Sequence, residues 1–429
     1  MSPPAVPDVL ALLAEGRPLT FETISAAFTP FVPLLARLPD TPQDPQWHAE
    51  GSVAAHSALV VAHAHALADE AGLGGEDRAA LLLAAALHDL GKARTTREEP
   101  DETGALRIRS PQHARRGRDE LAFRLLDTGI APVLLLKVLA LVAEHHSLHR
   151  ALDGDGLNSG WSRGVPALAR RAPLPLLTRL ARADARGRVV LSGDAARGED
   201  SADLLELAAQ DLGVWAGGDP FAAFRAEVAA LLPGASPDLQ ALAAGRGLQD
   251  WEAGRIHTPH EAAARVQDAA RHGFPRLTVL CGPSGSGKST LAAAFPDAEV
   301  ISLDDLRAQL GGGRHGAKHG AWVSGQVMQA AREALRAGLR RGAHVVWDAT
   351  SLRRSGRAQV LGLGRDYGAL TRIVVAWTPP ALAAARNRAR PQPVPAAVLA
   401  DQFRALDFPE VSEAHEVILR GPEEETWTL

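Results

Sequence analysis

The spacing of apolar residues divides the chain into a helical part and a part that alternates strands with helices. From Trp47 to about Gly187, apolar residues recur at three- and four-residue intervals between Gly or Pro breaks, which predicts helices and no strand. After Gly273, short β-type runs separate helical runs, at Leu277–Cys281, Glu299–Ser302, His344–Asp348 and Arg372–Trp377. That alternation is typical of a parallel α/β sheet. The sequence therefore predicts an all-α domain followed by an α/β domain with a parallel sheet.

Shifts in composition set the predicted domain boundaries. Residues 1–45 are rich in proline and form a predicted leader that packs on the helical domain, which occupies 46–200. Residues 201–250 carry seven acidic and two basic side chains, so 201–270 is predicted to be an acidic helical extension or connector. The α/β domain then occupies 271–429.

Composition limits the classes of protein that the chain can represent. The 429 residues are 46% hydrophobic and 22% charged with a formal net charge of −4, which allows real cores and excludes a general polycation. Cys281 is the only cysteine, so we expect no intrachain disulfide and a cytoplasmic location. The first residues lack a basic stretch before an apolar core, and no apolar run is long enough to span a bilayer. We therefore expect no secretory signal and no membrane partner, and the oligomeric state stays undetermined.

A phosphate-binding loop follows the first predicted strand of the α/β domain. Residues 282–289 read Gly-Pro-Ser-Gly-Ser-Gly-Lys-Ser and lie between that strand and a predicted helix over Ser289–Phe295. Glycines allow successive N–H groups to point at phosphate oxygens, Lys288 is expected to bridge the β- and γ-phosphates, and Ser289 is expected to hold Mg²⁺. The pattern predicts ATP and Mg²⁺ as cofactors, bound by Gly282, Ser284, Gly285, Ser286, Gly287, Lys288, Ser289 and Thr290.

Acidic side chains follow the next two predicted strands. Asp304, Asp305 and Arg307 come directly after the strand at 299–302, where open α/β sheets bind their ligands. A carboxylate there can accept the proton of an attacking hydroxyl group, and the arginine can bind an acceptor phosphate. An N-terminal helix cap is the alternative role for one of the two acids. Asp348 ends the following strand and is suited to orient Mg²⁺ or its water.

An arginine-rich segment, Arg386-Asn-Arg-Ala-Arg390, follows the last predicted strand. Arginines there can neutralise the phosphoryl group during its transfer, or can form a solvated helix face in a chain rich in arginine. The order of strand, phosphate-binding loop, Asp-Asp-x-Arg, Asp-x-Thr and arginine segment resembles the polynucleotide 5′-hydroxyl kinases of phage and bacterial end-healing enzymes. The resemblance covers residues 275–406.

That resemblance implies roles for several residues. Asp304 corresponds to the general base, Arg307 to the residue that contacts the 3′-phosphate of the acceptor nucleotide, and Arg386 and Arg390 to lid arginines. Leu303 departs from the phage enzyme, which has an arginine at that position, so one phosphate contact is in doubt.

Histidine and aspartate recur at separated points in the helical part. His56 lies in one predicted helix, the sequence Leu87-His-Asp-Leu-Gly-Lys92 closes a second, and Asp184 ends a third. Imidazole and carboxylate together suit Zn, Mn, Fe, Ni, Co or Cu, and helices can direct such ligands into the core of a bundle. Because His88 and Asp89 are adjacent and cannot share a helix face, both can bind one cation only if the helix end is adapted to it.

The set of His, His-Asp and distant Asp resembles the HD phosphohydrolase superfamily, and residues 47–56 resemble the HD segment attached to some tRNA nucleotidyltransferases. The resemblance implies that Lys92 faces the substrate phosphate and that four side chains bind the metal, namely His56, His88, Asp89 and Asp184. Three more histidines are expected either to bind a second metal ion or to contact substrate oxygens, namely His113, His145 and His146. A divalent cation makes bound water nucleophilic, which predicts hydrolysis of a phosphomonoester or phosphodiester.

Together the two domains resemble the bacterial HD–Pnk end-healing enzymes. The resemblance implies an enzyme that phosphorylates 5′-hydroxyl polynucleotide ends with ATP and removes 2′,3′-cyclic phosphate or 2′-phosphate ends at its metal site. RNA or single-stranded nucleic-acid ends are then its partners, with a separate RNA ligase to seal them. Two alternatives stay open. One is an HD nucleotide hydrolase fused to a nucleoside, sugar or toxin-type kinase, and the other is a non-enzymatic regulatory protein.

Overall fold

The computed structural model describes residues 4–153, 161–191, 197–310 and 321–429. The chain divides into two compact units, Met1–Phe221 and Ala222–Leu429. The first is helical and the second contains a mostly parallel sheet, which confirms the predicted fold class. The segment predicted as a connector, 201–270, is divided between the two units.

Helices dominate the first unit. They are α1 (Val6–Ala14), α2 (Phe21–Phe28), α3 (Val53–Glu70), α4 (Gly75–Leu87), α5 (Lys92–Thr95), α6 (His113–Arg124), α7 (Pro132–Glu144), α8 (Leu148–Leu152), α9 (Trp161–Ala169), α10 (Leu174–Arg186) and α11 (Arg197–Asp211). Two 3-10 helices accompany them, Pro33–Asp40 and Leu125–Thr128. None of the helices in the described ranges is both long and apolar enough to cross a membrane.

Helix α4 is the centre of the first unit. Every residue from Arg78 to Leu87 is buried, as expected for a helix that is apolar on all sides. Helices α1, α3, α7 and α10 all contact it. The residues that follow its last turn, His88 and Asp89, therefore lie inside the helical core.

A β-hairpin in the first unit corrects the prediction that this region has no strand. Strands β1 (Arg97–Pro100) and β2 (Leu106–Arg109) pair antiparallel, with Arg97 opposite Arg109. The sequence-based prediction was wrong here because the strands are four residues long and mostly charged. Their side chains are largely exposed, so no buried apolar alternation marks them.

The second unit consists of four helices followed by an α/β sheet domain. Its helices are α12 (Ala222–Ala230), α13 (Pro237–Glu252), α14 (Pro259–Ala264), α15 (Gln267–His272), α16 (Lys288–Ala293), α17 (Leu303–Gln309), α18 (Ala321–Arg340), α19 (Arg354–Asp366), α20 (Pro380–Arg388) and α21 (Ala396–Ala405). Its strands are β3 (Arg276–Cys281), β4 (Glu299–Ser302), β5 (His344–Asp348), β6 (Leu370–Ala376), β7 (Glu416–Arg420) and β8 (Thr426–Thr428). Helices α12 and α13 share a buried apolar cluster with Leu370 of β6.

The sheet order is β4-β5-β3-β6-β7-β8, in which β4 to β7 are parallel and β8 is antiparallel. The four predicted strands correspond to β3, β4, β5 and β6, and these predictions are confirmed. Strands β7 and β8 were not predicted. Because β3, β4 and β5 are neighbours and run in one direction, the residues that follow them meet at one edge of the sheet.

Two candidate active sites

Three side chains from distant parts of the chain meet in the core of the first unit. They come from α3, from the end of α4 and from α10: His56, His88 and Asp184. The Nε2 atom of His56 lies 3.0 Å from Oδ1 of Asp184, and the Nε2 atom of His88 lies 3.9 Å from the same oxygen. All three residues are buried, and their ligand atoms lie within 4.8 Å of one another, a separation that one metal ion can bridge.

A second group adjoins the first and includes Asp89, His113, His145 and His146. One carboxylate oxygen of Asp89, Oδ1, lies 3.1 Å from Nε2 of His113 and 3.8 Å from Nε2 of His145. The other oxygen, Oδ2, lies 3.4 Å from Nε2 of His88 and 3.8 Å from Nε2 of His56. Asp89 therefore lies between the two groups, and each of its oxygens faces one of them.

Three of these histidines are oriented by the same kind of hydrogen bond. His88, His113 and His145 each place Nδ1 within 2.8–2.9 Å of the main-chain carbonyl three residues earlier. A carbonyl can only accept, so Nδ1 carries the proton and Nε2 presents a lone pair. The Nε2 atoms of His113 and His145 lie 3.3 Å apart, and Nε2 of His88 is buried with no hydrogen-bond partner in the described part of the chain. This donor set fits divalent transition-metal ions.

A close backbone contact brings the two groups together. Helix α4 ends at Leu87, so His88 and Asp89 lie in the turn that leads to α5 and both can face the site. Gly91 in this turn packs against α6, and a Cβ atom on Gly91 would lie 2.0 Å from the carbonyl oxygen of His113. Glycine at this position therefore allows α6 to bring His113 next to Asp89.

The charges of the site suit a cation. Burial alone would raise the pKa of Asp89, but Lys92 and His88 hold that pKa well below its usual range. Burial likewise opposes ionisation of Asp184, and the nearby Arg188 guanidinium outweighs it, so the pKa of Asp184 is also well below normal. Burial lowers the pKa of His145 well below its usual range. Both carboxylates are thus ionised and His145 is neutral at pH 7, the protonation states that metal ligands need.

His56 differs from the other histidines because both of its ring nitrogens face acceptors. Burial by itself would lower its pKa, but hydrogen bonds with Asp184 and Glu50 raise the pKa of His56 to about 9. A cation bound by Asp184 and His56 would take the place of the proton on Nε2.

The amino group of Lys92 lies directly beside the candidate metal ligands. Its Nζ is 2.7 Å from Oδ2 of Asp89 and donates to Oε1 of Gln43 at 2.6 Å. Lys92 is buried, as is Gln43. The predicted role of Lys92, contact with the substrate phosphate, stays a prediction, but its charge lies at the site as that role requires.

The phosphate-binding loop of the second unit joins β3 to α16. Gly285 and Gly287 have φ angles of +79° and +101°, which glycine adopts without strain. The N–H of Gly282 donates to the carbonyl of Thr350 at 3.0 Å, and Nζ of Lys288 donates to the carbonyl of Pro283 at 2.8 Å. Burial lowers the pKa of Lys288 to about 8, so phosphate oxygens would find a desolvated ammonium group there.

The residues that follow β3, β4 and β5 line one cavity of about 600 Å³. Asp304 and Asp305 lie in the first turn of α17, and Nη1 of Arg307 contacts Oδ1 of Asp304 at 2.5 Å. Ser302 caps this helix, because its side chain accepts from the N–H of Asp305 at 3.1 Å. The cap is therefore a serine, and the alternative that one of the two acids is the cap is excluded. Burial raises the pKa of Asp348 at the end of β5.

Most of the residues predicted to bind the nucleotide or to act in catalysis in the second unit line this cavity. They are Ser284, Gly285, Gly287, Lys288, Ser289, Thr290, Asp304, Arg307, Asp348, Arg386 and Arg390. Gly282 and Ser286 do not line it. The hydroxyl of Ser286 donates to the carbonyl of Pro283 at 2.8 Å, which supports the loop from within.

Comparison with known families agrees with this geometry. Residues 53–188 match the model of the HD domain, and residues 277–409 match the model of an AAA domain. The chain therefore contains an HD domain followed by a P-loop kinase-like AAA domain, which confirms the predicted architecture of an HD domain fused to a P-loop kinase. This pair of domains indicates phosphohydrolase and kinase chemistry, with divalent metal at the first site and ATP with Mg²⁺ at the second.

The chain is also similar to the small ribosomal subunit biogenesis GTPase RsgA of Clostridium perfringens. It is 51% identical over 39 residues to the protein of strain SM101 and 49% identical over 39 residues to that of strain 13. Each match covers 9% of this chain and 14% of the relative. The chain thus spans about one seventh of the length of these curated relatives, which is too little to transfer a substrate.

Sequence reasoning missed three residues that contact the candidate metal ligands or the neighbouring Lys92: Gln43, Glu50 and Arg188. Gln43 binds Lys92, Glu50 binds His56, and Nη2 of Arg188 pairs with Oδ2 of Asp184. Arg188 follows Asp184 by four residues at a helix end, a spacing that could have indicated the pair. Glu50 lies in the segment 47–56, which resembles an HD segment, but no role was predicted for it.

Proposed function

We propose that this chain heals broken RNA ends. The AAA domain transfers the γ-phosphoryl group of ATP to a 5′-hydroxyl end, and the HD domain removes a 2′,3′-cyclic phosphate or 2′-phosphate. The observation that carries the proposal is that one chain holds two sites with opposite chemistry, one suited to hydrolyse a phosphate ester and one suited to form it. The ends that these reactions leave suit a separate RNA ligase.

The kinase cavity supports transfer to an alcohol. In this proposal Lys288 binds the β- and γ-phosphates, Ser289 and Asp348 hold Mg²⁺, and Asp304 lines the same cavity. Asp304 accepts the proton of the 5′-hydroxyl group while the hydroxyl oxygen forms a bond to the γ-phosphorus. At the same time the bond between the γ-phosphorus and the β–γ bridging oxygen breaks, and ADP leaves. Arg307 exchanges its contact with Asp304 for a phosphate of the acceptor strand when that strand binds, before the proton is transferred.

The helical site supports hydrolysis. His56, His88 and Asp184 would hold one divalent cation, and Asp89, His113 and His145 would hold a second, with Asp89 shared between them. Cations held there would supply Lewis-acid activation of water and of the phosphate. Lys92, whose Nζ lies 2.7 Å from Oδ2 of Asp89, would bind a non-bridging phosphate oxygen.

The test follows both ends of defined substrates. The protein is incubated with Mg²⁺ and γ-labelled ATP in the presence of 5′-hydroxyl RNA or DNA oligonucleotides, free nucleosides and sugars. In parallel, RNA with a 2′,3′-cyclic phosphate is incubated with Mn²⁺, Ni²⁺, Co²⁺, Zn²⁺ or Cu²⁺. We expect label on oligonucleotides and loss of the terminal phosphate. Label confined to nucleosides or sugars would instead indicate a small-molecule kinase and would overturn the assignment.

A further inference from the structure

The carboxylate of Glu50 makes three close polar contacts beside the candidate metal site. Its Oε1 lies 2.9 Å from Nδ1 of His56 and 2.7 Å from Nδ1 of His48. Its Oε2 accepts from the main-chain N–H of Val189 at 2.9 Å. The side chain of Glu50 is only 4% exposed, so water competes little for these contacts.

The partner of Nδ1 distinguishes His56 from the other histidines of the site. His88, His113 and His145 donate to neutral main-chain carbonyls. His56 faces an ionised carboxylate at 2.9 Å, with the carbonyl of Gly187 farther away at 3.3 Å. A carboxylate acceptor fixes the proton on Nδ1 and makes Nε2 a stronger electron-pair donor than a carbonyl does.

From this geometry we infer that Glu50 is a positioning residue for the HD site, which holds Nε2 of His56 toward the cation shared with His88 and Asp184. This inference rests on the proposed metal-dependent function. Glu50 itself does not touch the cation.

The same carboxylate connects two elements that carry ligands. His56 lies in α3, whereas Val189 follows α10, the helix that carries Asp184. A second bond strengthens this link, because the N–H of Ala49 donates to the carbonyl of Val189 at 2.8 Å. Glu50 therefore sets both the orientation of His56 and the distance between His56 and Asp184.

An alternative is that His48, Glu50 and His56 bind a cation of their own, since their ligand atoms also lie close together. In that arrangement His56 would need to bind one cation through each ring nitrogen. The observed contacts instead give both Nδ1 atoms an acceptor at hydrogen-bond distance, on the same carboxylate oxygen. Contacts with the carboxylate of Glu50 therefore account for the positions of His48 and His56 without an additional ion.

The test measures metal binding by the full chain without any RNA. Metal-free protein is titrated with Zn²⁺ against a chromophoric chelator, and with Co²⁺ while its visible absorption is recorded. Glu50→Gln keeps the shape of the side chain but removes its charge. We expect it to weaken binding of one cation by about 10–100-fold, with the same number of ions bound at saturation and an altered Co²⁺ spectrum.

His48→Ala is the matched control, because it removes the other imidazole from the same carboxylate oxygen. We expect its metal affinity to stay within a few-fold of the unsubstituted protein. Unchanged affinity in Glu50→Gln would overturn the inference. Loss of one whole cation at saturation in both variants would also overturn it, because Glu50 and His48 would then be ligands.

A second measurement needs no substitution and covers the case in which Glu50→Gln does not fold. Nitrogen NMR of the histidine rings in the Zn²⁺-loaded protein should show His56 protonated at Nδ1 and bound through Nε2. Binding through Nδ1 would contradict the inference. Because neither measurement uses RNA, a protein that binds the cation as described but leaves RNA ends intact would refute the proposed function and leave the role of Glu50 standing.

Discussion

The two sites are assembled in different ways. The nucleotide site takes its phosphate-binding residues from one loop, 282–289, and adds acids that follow the neighbouring strands. The HD site takes His56 and Asp184 from positions 128 residues apart, and buries both. Its histidines are oriented by main-chain carbonyls and by Glu50, whereas Asp304 in the nucleotide cavity pairs with the side chain of Arg307.

The two sites therefore differ in how far their side chains are oriented before a ligand binds. The HD site is ordered before a cation binds, because His56, His88, His113 and His145 each have an acceptor at Nδ1, on the side away from the cation. The kinase site must rearrange, since Asp304 can accept a proton from substrate only after its contact with Arg307 changes. Substitutions in the HD site should therefore act by moving the metal ligands. Substitutions in the kinase site should act on the transfer of the proton.

The largest expected effect is on the kinase acid. Asp304→Asn should reduce phosphorylation of a 5′-hydroxyl oligonucleotide by about 10²–10⁴-fold, because an amide cannot accept the proton. Asp305→Asn is the matched control and should cost far less, and hydrolysis of cyclic-phosphate RNA should be unchanged in both. A larger loss in Asp305→Asn than in Asp304→Asn would show that the second acid is the base.

The next effect is on a buried ion pair beside the segment that follows β5. Arg357 is fully buried and pairs with both carboxylate oxygens of Glu413 at 2.8 Å, while it donates to the carbonyls of Ser351 and Leu352 at 3.0 Å. Arg357→Met leaves Glu413 buried without its partner, and we expect the free energy of unfolding of the second unit to fall by about 3–5 kcal/mol.

Urea unfolding followed by circular dichroism measures this change. Arg341→Met removes an exposed ion pair with Glu299 and should cost less than about 1 kcal/mol. Equal costs for the two arginine variants would contradict the role given to the buried pair.

A smaller effect is expected for Gly91→Ala, and it should be confined to the HD site. Gly91→Ala forces a Cβ atom toward the carbonyl of His113, so α6 must move away and the free energy of unfolding should fall by about 1–3 kcal/mol. Zn²⁺ binding by the second group should weaken, while kinase activity stays. Gly74→Ala is the control, since nothing lies within 4 Å of its added methyl group. An undisturbed HD site in Gly91→Ala would show that the close contact does not position His113.

The effect that is smallest near neutral pH concerns the acid stability of the second unit. Burial lowers the pKa of His415 to about 4, below its usual 6.5, and its Nδ1 accepts from the N–H of Thr371 at 3.1 Å. Since the unfolded chain binds the proton first as pH falls, stability is complete above pH 6.5 and is lost toward pH 4, by about 1.4 kcal/mol for each pH unit. His415→Asn keeps an acceptor but does not titrate, so its unfolding free energy should fall less over this range. Parallel curves for the two proteins would refute this account.

Much of this molecule could be predicted from sequence, for reasons that differ between the sites. Residues 282–289 and the strand before them form a local sequence pattern. The structure of this loop and its place at one edge of the sheet could therefore be predicted directly. His56, His88 and Asp184 could be named from the resemblance, but not the bonds that orient them. Those bonds join residues far apart in the chain, as between Glu50 and Val189, and no local pattern encodes such contacts. The hairpin β1–β2 escaped prediction because it is short, charged and exposed.

The central claim is that two independent sites act on the two ends of a break, and one assay tests it most directly. A single RNA strand with a 5′-hydroxyl group and a 2′,3′-cyclic phosphate is incubated with ATP, Mg²⁺ and a transition metal, and both ends are followed over time. Lys288→Ala should leave the 5′ end unphosphorylated while the cyclic phosphate is removed, and His88→Ala should do the reverse. A folded variant in which either substitution alone stops both reactions would contradict the account.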